Sequence, residues 1–220
     1  MPEDLYASWG PELLSFLAEL PKQTPDFSKY ILQLLSKHFN FNKSFIFPFA
    51  YQAIDIERRS KREAMNNIVS LNVDAESVKE YVDVISKVDI FSPRFLPESL
   101  KRQKVLFTYD VIPERKYYGT EYYKYMKKYD MEKQACIYLR RKNEVIATIC
   151  LFRSQSEPDF SPKDRLLMEY LSDVISDQYI IALQLSGDVM SQEGFNMFFR
   201  KSDVGAAMLN SHLTAVMANN

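Results

Sequence analysis

The chain has 220 residues, 46% hydrophobic, 14% aromatic and 26% charged, with a formal net charge of −1. It holds 5 glycines, no two closer than seven residues, against an ordinary share of roughly 7%. A Walker-type phosphate loop and a dinucleotide fingerprint both need closely spaced glycines, so neither exists here.

The near-zero charge excludes a molecule that holds nucleic acid by its overall field. No run of apolar residues is long enough to span a bilayer, and the acidic start Met1-Pro2-Glu3-Asp4 lacks the basic opening of a signal peptide. The expectation is a cytoplasmic protein whose two cysteines, Cys136 and Cys150, are reduced thiols. The two histidines are His38, at a predicted helix end, and His212, in a polar turn. With no HExxH or CxxC pattern, zinc chemistry and histidine-dependent nucleophilic catalysis are disfavoured. The reading is a non-enzyme without metal or cofactor.

In chain order, residues 5–20 form an amphipathic helix after Pro11, with Leu13, Leu14, Leu17 and Leu20 on one face. Thr24 caps a second helix over 25–38, with Pro25 in its first turn and Phe27, Tyr30, Ile31, Leu34 and Leu35 as its apolar stripe. Phe45, Phe47, Phe49 and Tyr51 alternate as in a strand over 44–56. A polar stretch (57–67) and a short strand (68–73) follow. Asp74 caps a helix over 75–89 with Val78, Tyr81, Val82, Ile85 and Val88 on one face. A proline-containing loop (91–104) leads to a strand over 105–111. Residues 113–132 are a loop entering a helix at 120–129. Strands 133–140 and 145–153 are joined by the polar turn Arg141-Lys142-Asn143-Glu144. Ala135, Ile137 and Leu139 lie on one face of the first and Cys136 and Tyr138 on the other, so both faces are covered. Ser161 then caps a long helix to about 185, with Pro162 at its first position and Asp164 three residues after the cap. Residues 204–220 read as strand, turn, strand. This order gives an α+β fold: a central antiparallel sheet flanked by helices, with a long C-terminal helix.

The hairpin IYLRRKNEVIATICLFR followed by PDFSPKDRLLMEYLSDVISDQY closely resembles the last hairpin and final helix of GAF domains, through Pro158, Asp159, Phe160, Ser161, Asp164, Leu167 and Leu171. The stretch FTYDVIPERKYYGTEYYKYMKKYDM resembles GAF domains found ahead of LuxR-type helix-turn-helix regions in bacterial regulators. The tail VGAAMLNSHLTAVMANN resembles the hairpin that precedes the DNA-binding helices there. The resemblance implies a GAF/PAS-like sensory domain over 25–185, an N-terminal helical extension over 1–24, and a C-terminal extension with hairpin over 186–220. It also implies that DNA is bound only by an output domain beyond this chain. No signature of cyclic-nucleotide, bilin or haem binding is present.

Eight of the 14 tyrosines lie between Tyr109 and Tyr138. Tyr122, Tyr125, Met126 and Tyr129 make a helical stripe. Tyrosine joins an apolar face to a hydroxyl, which suits a small amphipathic ligand; an ordinary core helix is the competing reading. The expected site is Tyr109, Arg115, Tyr118, Tyr122, Tyr125, Met126, Cys136 and Tyr138, with Arg115 and Lys116 placed for an anionic head-group. A sensor should show an apolar-lined cavity between the sheet and residues 109–129. Residues 101–142 carry twelve Lys/Arg and five Asp/Glu. They read first as a solvated face, with nucleic-acid binding as a third-ranked function. The acidic helix 162–185 has an apolar stripe wide enough for a homodimer contact. The resulting function is a ligand-biased regulatory domain with an unidentified small-molecule partner and no membrane. The alternative is a dimerisation module of the same fold that takes no ligand.

Overall fold

Leu13 and Phe16, spaced i, i+3, are buried in α1 (Glu3–Glu19), and Leu20 is buried just past its end. Pro11 lies inside this helix rather than ahead of it. Leu14, about a quarter-turn from Leu13, faces solvent. Phe16, outside the expected stripe, takes the core place expected of Leu14. The computed structural model describes residues 3–20, 26–48, 68–142, 144–186, 207–209 and 215–218. The expected cap Thr24-Pro25, the residues Phe49 and Tyr51, the segment 57–67 and His212 lie outside them.

Helix α2 spans Phe27–Phe39 and is capped by Asp26, whose carboxylate accepts from the Lys29 N–H at 3.0 Å. A carboxylate caps at least as well as a hydroxyl, so the helix starts two residues later than expected. Asn40, at φ 57°, closes it in the left-handed conformation that asparagine tolerates. Phe27, Ile31, Leu34 and Leu35 are buried on its inner face, as is Leu32.

Strand β1 (Lys43–Pro48) pairs with β2 (Val69–Leu71) and, on its other side, with β5. Helix α3 is Ala75–Asp83, capped by Asp74 through the Glu76 N–H at 2.7 Å. It stops earlier than the periodicity predicts and passes into a 3₁₀ turn at Ile85–Lys87. The run Val82-Asp83-Val84-Ile85 is crowded with β-branched residues, and the Ser86 hydroxyl takes the Val82 carbonyl at 3.3 Å. Tyr81, Val82 and Ile85 are buried, whereas Val88 is exposed.

Strand β3 is Val105–Phe107 alone, shorter than the expected 105–111. The Asp110 carboxylate accepts from the Phe107 N–H at 2.6 Å and turns the chain into a helical turn, α4 (Thr108–Val111). A second turn, α5 (Glu114–Tyr117), precedes helix α6 (Glu121–Lys128).

Strands β4 (Lys133–Arg141) and β5 (Glu144–Arg153) form the expected hairpin. Its turn is made with Lys142 at φ 56°, and its register shifts between Leu139 and Arg140. The sheet order is β2-β1-β5-β4-β3, and all its strands are antiparallel.

Helix α7 (Pro162–Ser186) opens on a reciprocal cap: the Ser161 hydroxyl accepts from the Asp164 N–H at 3.1 Å, and the Asp164 carboxylate accepts from the Ser161 N–H at 2.7 Å. Ser172 donates to the Tyr138 carbonyl at 2.8 Å, and Ser176 accepts from the Arg140 N–H at 2.9 Å. These bonds fix α7 on the sheet with Leu167, Met168, Leu171 and Ile175 fully buried. The fold is α+β with a central antiparallel sheet and a long C-terminal helix.

The chain divides into two compact units, Met1–Gln178 and Tyr179–Asn220. The second contains the end of α7 and the antiparallel pair β6 (Ala207–Leu209) and β7 (Ala215–Ala218); these are the two expected strands, and the expected turn between them lies outside the described residues. No described helix is long and apolar enough to cross a membrane.

Candidate functional site

Residues 108–129 form the connection from β3 to β4, and α6 covers the sheet face that carries Phe45, Phe47, Leu106, Cys136, Tyr138, Cys150 and Phe152. Thr120 caps α6 by accepting from the Tyr123 N–H at 3.0 Å. Helical spacing then puts Tyr122, Tyr125 and Met126 inward, all of them buried, with Tyr129 half-buried. Lys124 and Lys127 stay outside.

The tyrosines separate into two groups. The inner rings of Tyr122 and Tyr125 lie 6.4 Å apart. Phe91 lies 6.4 Å from Tyr122, and Tyr81 lies 6.4 Å from Tyr125. The outer group centres on Tyr117, whose ring lies 6.3 Å from Tyr109, 6.0 Å from Tyr118 and 5.1 Å from Tyr123. Tyr109 and Tyr118 are 44% and 42% exposed, and Tyr118 donates to Glu114 at 2.8 Å.

The inner group carries a buried polar chain. Tyr81 donates to the Asp89 carboxylate at 2.7 Å, and the Phe91 N–H donates to its other oxygen at 2.9 Å. Asp89 is 7% exposed, and no cation pairs with it among the described residues. Burial holds its carboxyl above the usual carboxylate range, partly offset by those two hydrogen bonds and by the nearby Tyr122 hydroxyl. Burial likewise pushes the Tyr81 and Tyr122 hydroxyls well above their ordinary values. Tyr122 donates to the Gln134 side-chain carbonyl at 2.7 Å, and the Gln134 amide donates to the Cys136 sulfur at 3.1 Å. Tyr138 donates to the Phe91 carbonyl at 2.8 Å. Thr148 stands opposite both Tyr138 and Phe47 in the sheet and so shares their face. Its buried hydroxyl has no hydrogen-bond partner among the described residues.

Of the predicted site residues, Tyr122, Tyr125, Met126, Cys136 and Tyr138 come together in this one buried cluster. Tyr109, Arg115 and Tyr118 stand on the outer surface of the connection. Asp89, Tyr81 and Thr148 belong to the cluster and were not predicted. Their sequence signal is a single polar residue inside an apolar run, Val88-Asp89-Ile90-Phe91 and Ala147-Thr148-Ile149.

Where an apolar-lined cavity is expected under residues 109–129, the rings of Tyr81, Phe91, Tyr122 and Tyr125 each lie 6.4 Å from a neighbour in one buried cluster. A cavity of about 160 Å³ lies instead beside β3, lined by Phe107, Thr108, Tyr109, Asp110, Phe160 and three further polar residues. Two guanidinium groups flank its aromatic residues, Arg165 at 4.1 Å from the Phe107 ring centre and Arg153 at 4.3 Å from that of Phe160. Among the described residues no group of His, Cys, Asp and Glu side chains could hold a metal ion.

No protein-family model matches the chain. No curated protein matches it in sequence. Solved structures do match its fold. The SdiA protein of Escherichia coli is 12% identical at a TM-score of 0.54, over 90% of this chain and 80% of that one. SdiA in complex with octanoyl-rac-glycerol is 12% identical at a TM-score of 0.50, over 92% of this chain and 84% of that one. The VqsR ligand-binding domain from Pseudomonas aeruginosa is 18% identical at a TM-score of 0.47, over 80% of this chain and 98% of that one. The likeness is one of fold.

Proposed function

We propose that the chain is the small-molecule-sensing part of a transcriptional regulator, of the GAF-like kind that stands ahead of LuxR-type helix-turn-helix regions. The carrying observation is Thr148, whose buried hydroxyl has no partner among the described residues, inside the aromatic cluster that also buries the Asp89 carboxyl. Burying such a hydroxyl unpaired costs about 1–3 kcal/mol. A ligand that offers Thr148 an acceptor, on a molecule whose apolar tail replaces ring contacts, removes that cost. Octanoyl-rac-glycerol, present in the SdiA complex, has hydroxyl donors, an ester carbonyl and a short acyl chain, and it is the first ligand to test.

Binding requires the inner rings to move, and few polar links hold α6 down: Tyr122 to Gln134, Tyr125 to Ser77, and Lys128 and Tyr129 to Glu80. A ligand that favours one arrangement of α6 shifts the population toward it. In this reading the sensory domain covers residues 25–185, Tyr109, Arg115 and Tyr118 guide the ligand at the rim, and residues 186–220 lead to a DNA-binding region beyond this chain. A cytoplasmic homodimer through helix 162–185 completes it, supported by Leu166, an apolar side chain 45% exposed on that helix.

The packed rings favour one rival, a dimerisation module that takes no ligand. Native mass spectrometry of the purified chain with octanoyl-rac-glycerol separates the two. The sensor reading expects a retained adduct on a dimer, and it expects Thr148→Val to lose that adduct while still folding. A dimer that never retains an amphiphile overturns it in favour of the rival.

A further inference from the structure

We propose that Cys136 and Cys150 form an oxidation site, at which a hydroperoxide converts the two thiols into an intrachain cross-strand disulfide. The two residues are direct partners on β4 and β5. Their sulfurs lie 3.4 Å apart, and both are free thiols. Directly opposed antiparallel residues have Cα atoms about 4.5 or 5.5 Å apart, inside the roughly 4.4–6.8 Å span of disulfides. Sulfur movement alone can therefore close the bond, with the ladder intact. Both sulfurs lie on the sheet face that α6 covers, among Tyr122, Tyr138 and Phe152.

Placement makes the pair a reporter of α6. Cys136 accepts from the Gln134 amide at 3.1 Å, and Gln134 accepts from Tyr122 of α6 at 2.7 Å. Burial pushes the Cys136 thiol well above its ordinary value, so little Cys136 thiolate forms while α6 is seated. When α6 lifts, water and peroxide reach the pair. One sulfur, having lost its proton, attacks a peroxide oxygen; the O–O bond breaks, and a sulfenic acid and one water (or alcohol) result. The second sulfur then attacks the sulfenic sulfur, the S–S bond forms, and hydroxide leaves with the second thiol proton as water. Two thiols are oxidised and one peroxide is reduced. The inference is independent of any ligand under α6.

The test exposes the folded chain to hydrogen peroxide, then unfolds it, alkylates it with N-ethylmaleimide and measures intact mass. The expected product carries no alkyl group and is lighter than the unalkylated chain by about 2 Da, the two thiol hydrogens. Digestion then yields one peptide pair joined through Cys136 and Cys150, and dithiothreitol restores two alkylation sites. Tyr122→Phe, which cuts the link to Gln134, is expected to speed the reaction several-fold. Persistent double alkylation, oxygen adducts at a single sulfur, or disulfide-linked dimers on a non-reducing gel each overturn the proposal. The wild-type result stands whether or not Cys136→Ser or Cys150→Ser folds.

Discussion

The two faces of the five-stranded sheet are buried by different chemistry. The face under α7 is mostly aliphatic: Ala135, Ile137, Leu139, Ala147, Ile149 and Leu151 oppose Leu167, Met168, Leu171 and Ile175. Its α7 hydroxyls are used, with Ser172 and Ser176 bonded to the β4 backbone, while the buried Ser44 hydroxyl of β1 on the same face has no partner among the described residues. The face under α6 holds tyrosines, two thiols, a carboxyl and the unpartnered hydroxyl of Thr148. An aliphatic layer fixed by backbone bonds has one good packing. A layer of rings and polar tips is held by directional hydrogen bonds as well as by packing, so a new polar partner can compete for its contacts. In the proposed sensor the sheet thus has a rigid side and a responsive side.

The largest expected effect lies on the rigid side. Leu171→Ala leaves a hole in a fully buried layer and should cost about 2–5 kcal/mol, read as a lower urea midpoint with an unchanged slope. On the responsive side, Tyr122→Phe removes the donor to Gln134 and strands a buried amide oxygen, at about 1–3 kcal/mol. The faces are alike after all if Tyr122→Phe costs as much as Leu171→Ala.

The sequence shows some of this division and hides the rest. The hairpin, the Ser161–Asp164 cap and the α6 stripe are legible because each rests on local spacing or local side-chain chemistry. The end of β3 is not, because one bond from the Phe107 N–H to Asp110 decides it. Nor is the Asp26 cap distinguishable from Thr24, since both offer an oxygen at a plausible start. Adjacent tyrosines at 117/118 and 122/123 must point apart, but spacing cannot say which one the sheet receives. Tyr117 and Tyr122 are buried and Tyr118 is exposed. Asp89 and Thr148 are the hardest to find. A lone polar residue in an apolar run becomes notable only once the packing around it is known.

A pH series sharpens the comparison further. Burial raises the Asp89 carboxyl above its reference value of 3.8. Below 3.8 the group is protonated in both folded and unfolded chains and contributes nothing. As pH rises past 3.8 the unfolded chain ionises first, so the wild type loses stability until the folded carboxyl has also ionised. Above that point the loss is constant. Asp89→Asn keeps the shape and lacks this loss. Its stability relative to wild type should therefore climb as pH rises through the window that opens at 3.8. A difference in urea midpoints that stays flat with pH would show that Asp89 is solvated, and the responsive side would lose its defining group.

The smallest expected effect concerns the charges outside both layers. The basic stretch 101–142 and the acidic helix α7 meet within one chain: Lys104 pairs with Asp173 at 2.6 Å, and Arg165 with Asp110 at 2.6 Å. Lys104 and Asp173 are 46% and 62% exposed as side chains, so water and salt screen the pair. Lys104→Ala should cost about 0–1 kcal/mol, and the cost should vanish in high salt. If these charges instead joined two copies of the chain, the same substitution would shift the monomer–dimer equilibrium and make it insensitive to salt. Sedimentation at low and high ionic strength decides between them. Because Asp173 already has its cation within the chain, the expected result is a small stability change with an unaltered dimer equilibrium, which leaves apolar contacts such as Leu166 to carry any pairing through α7.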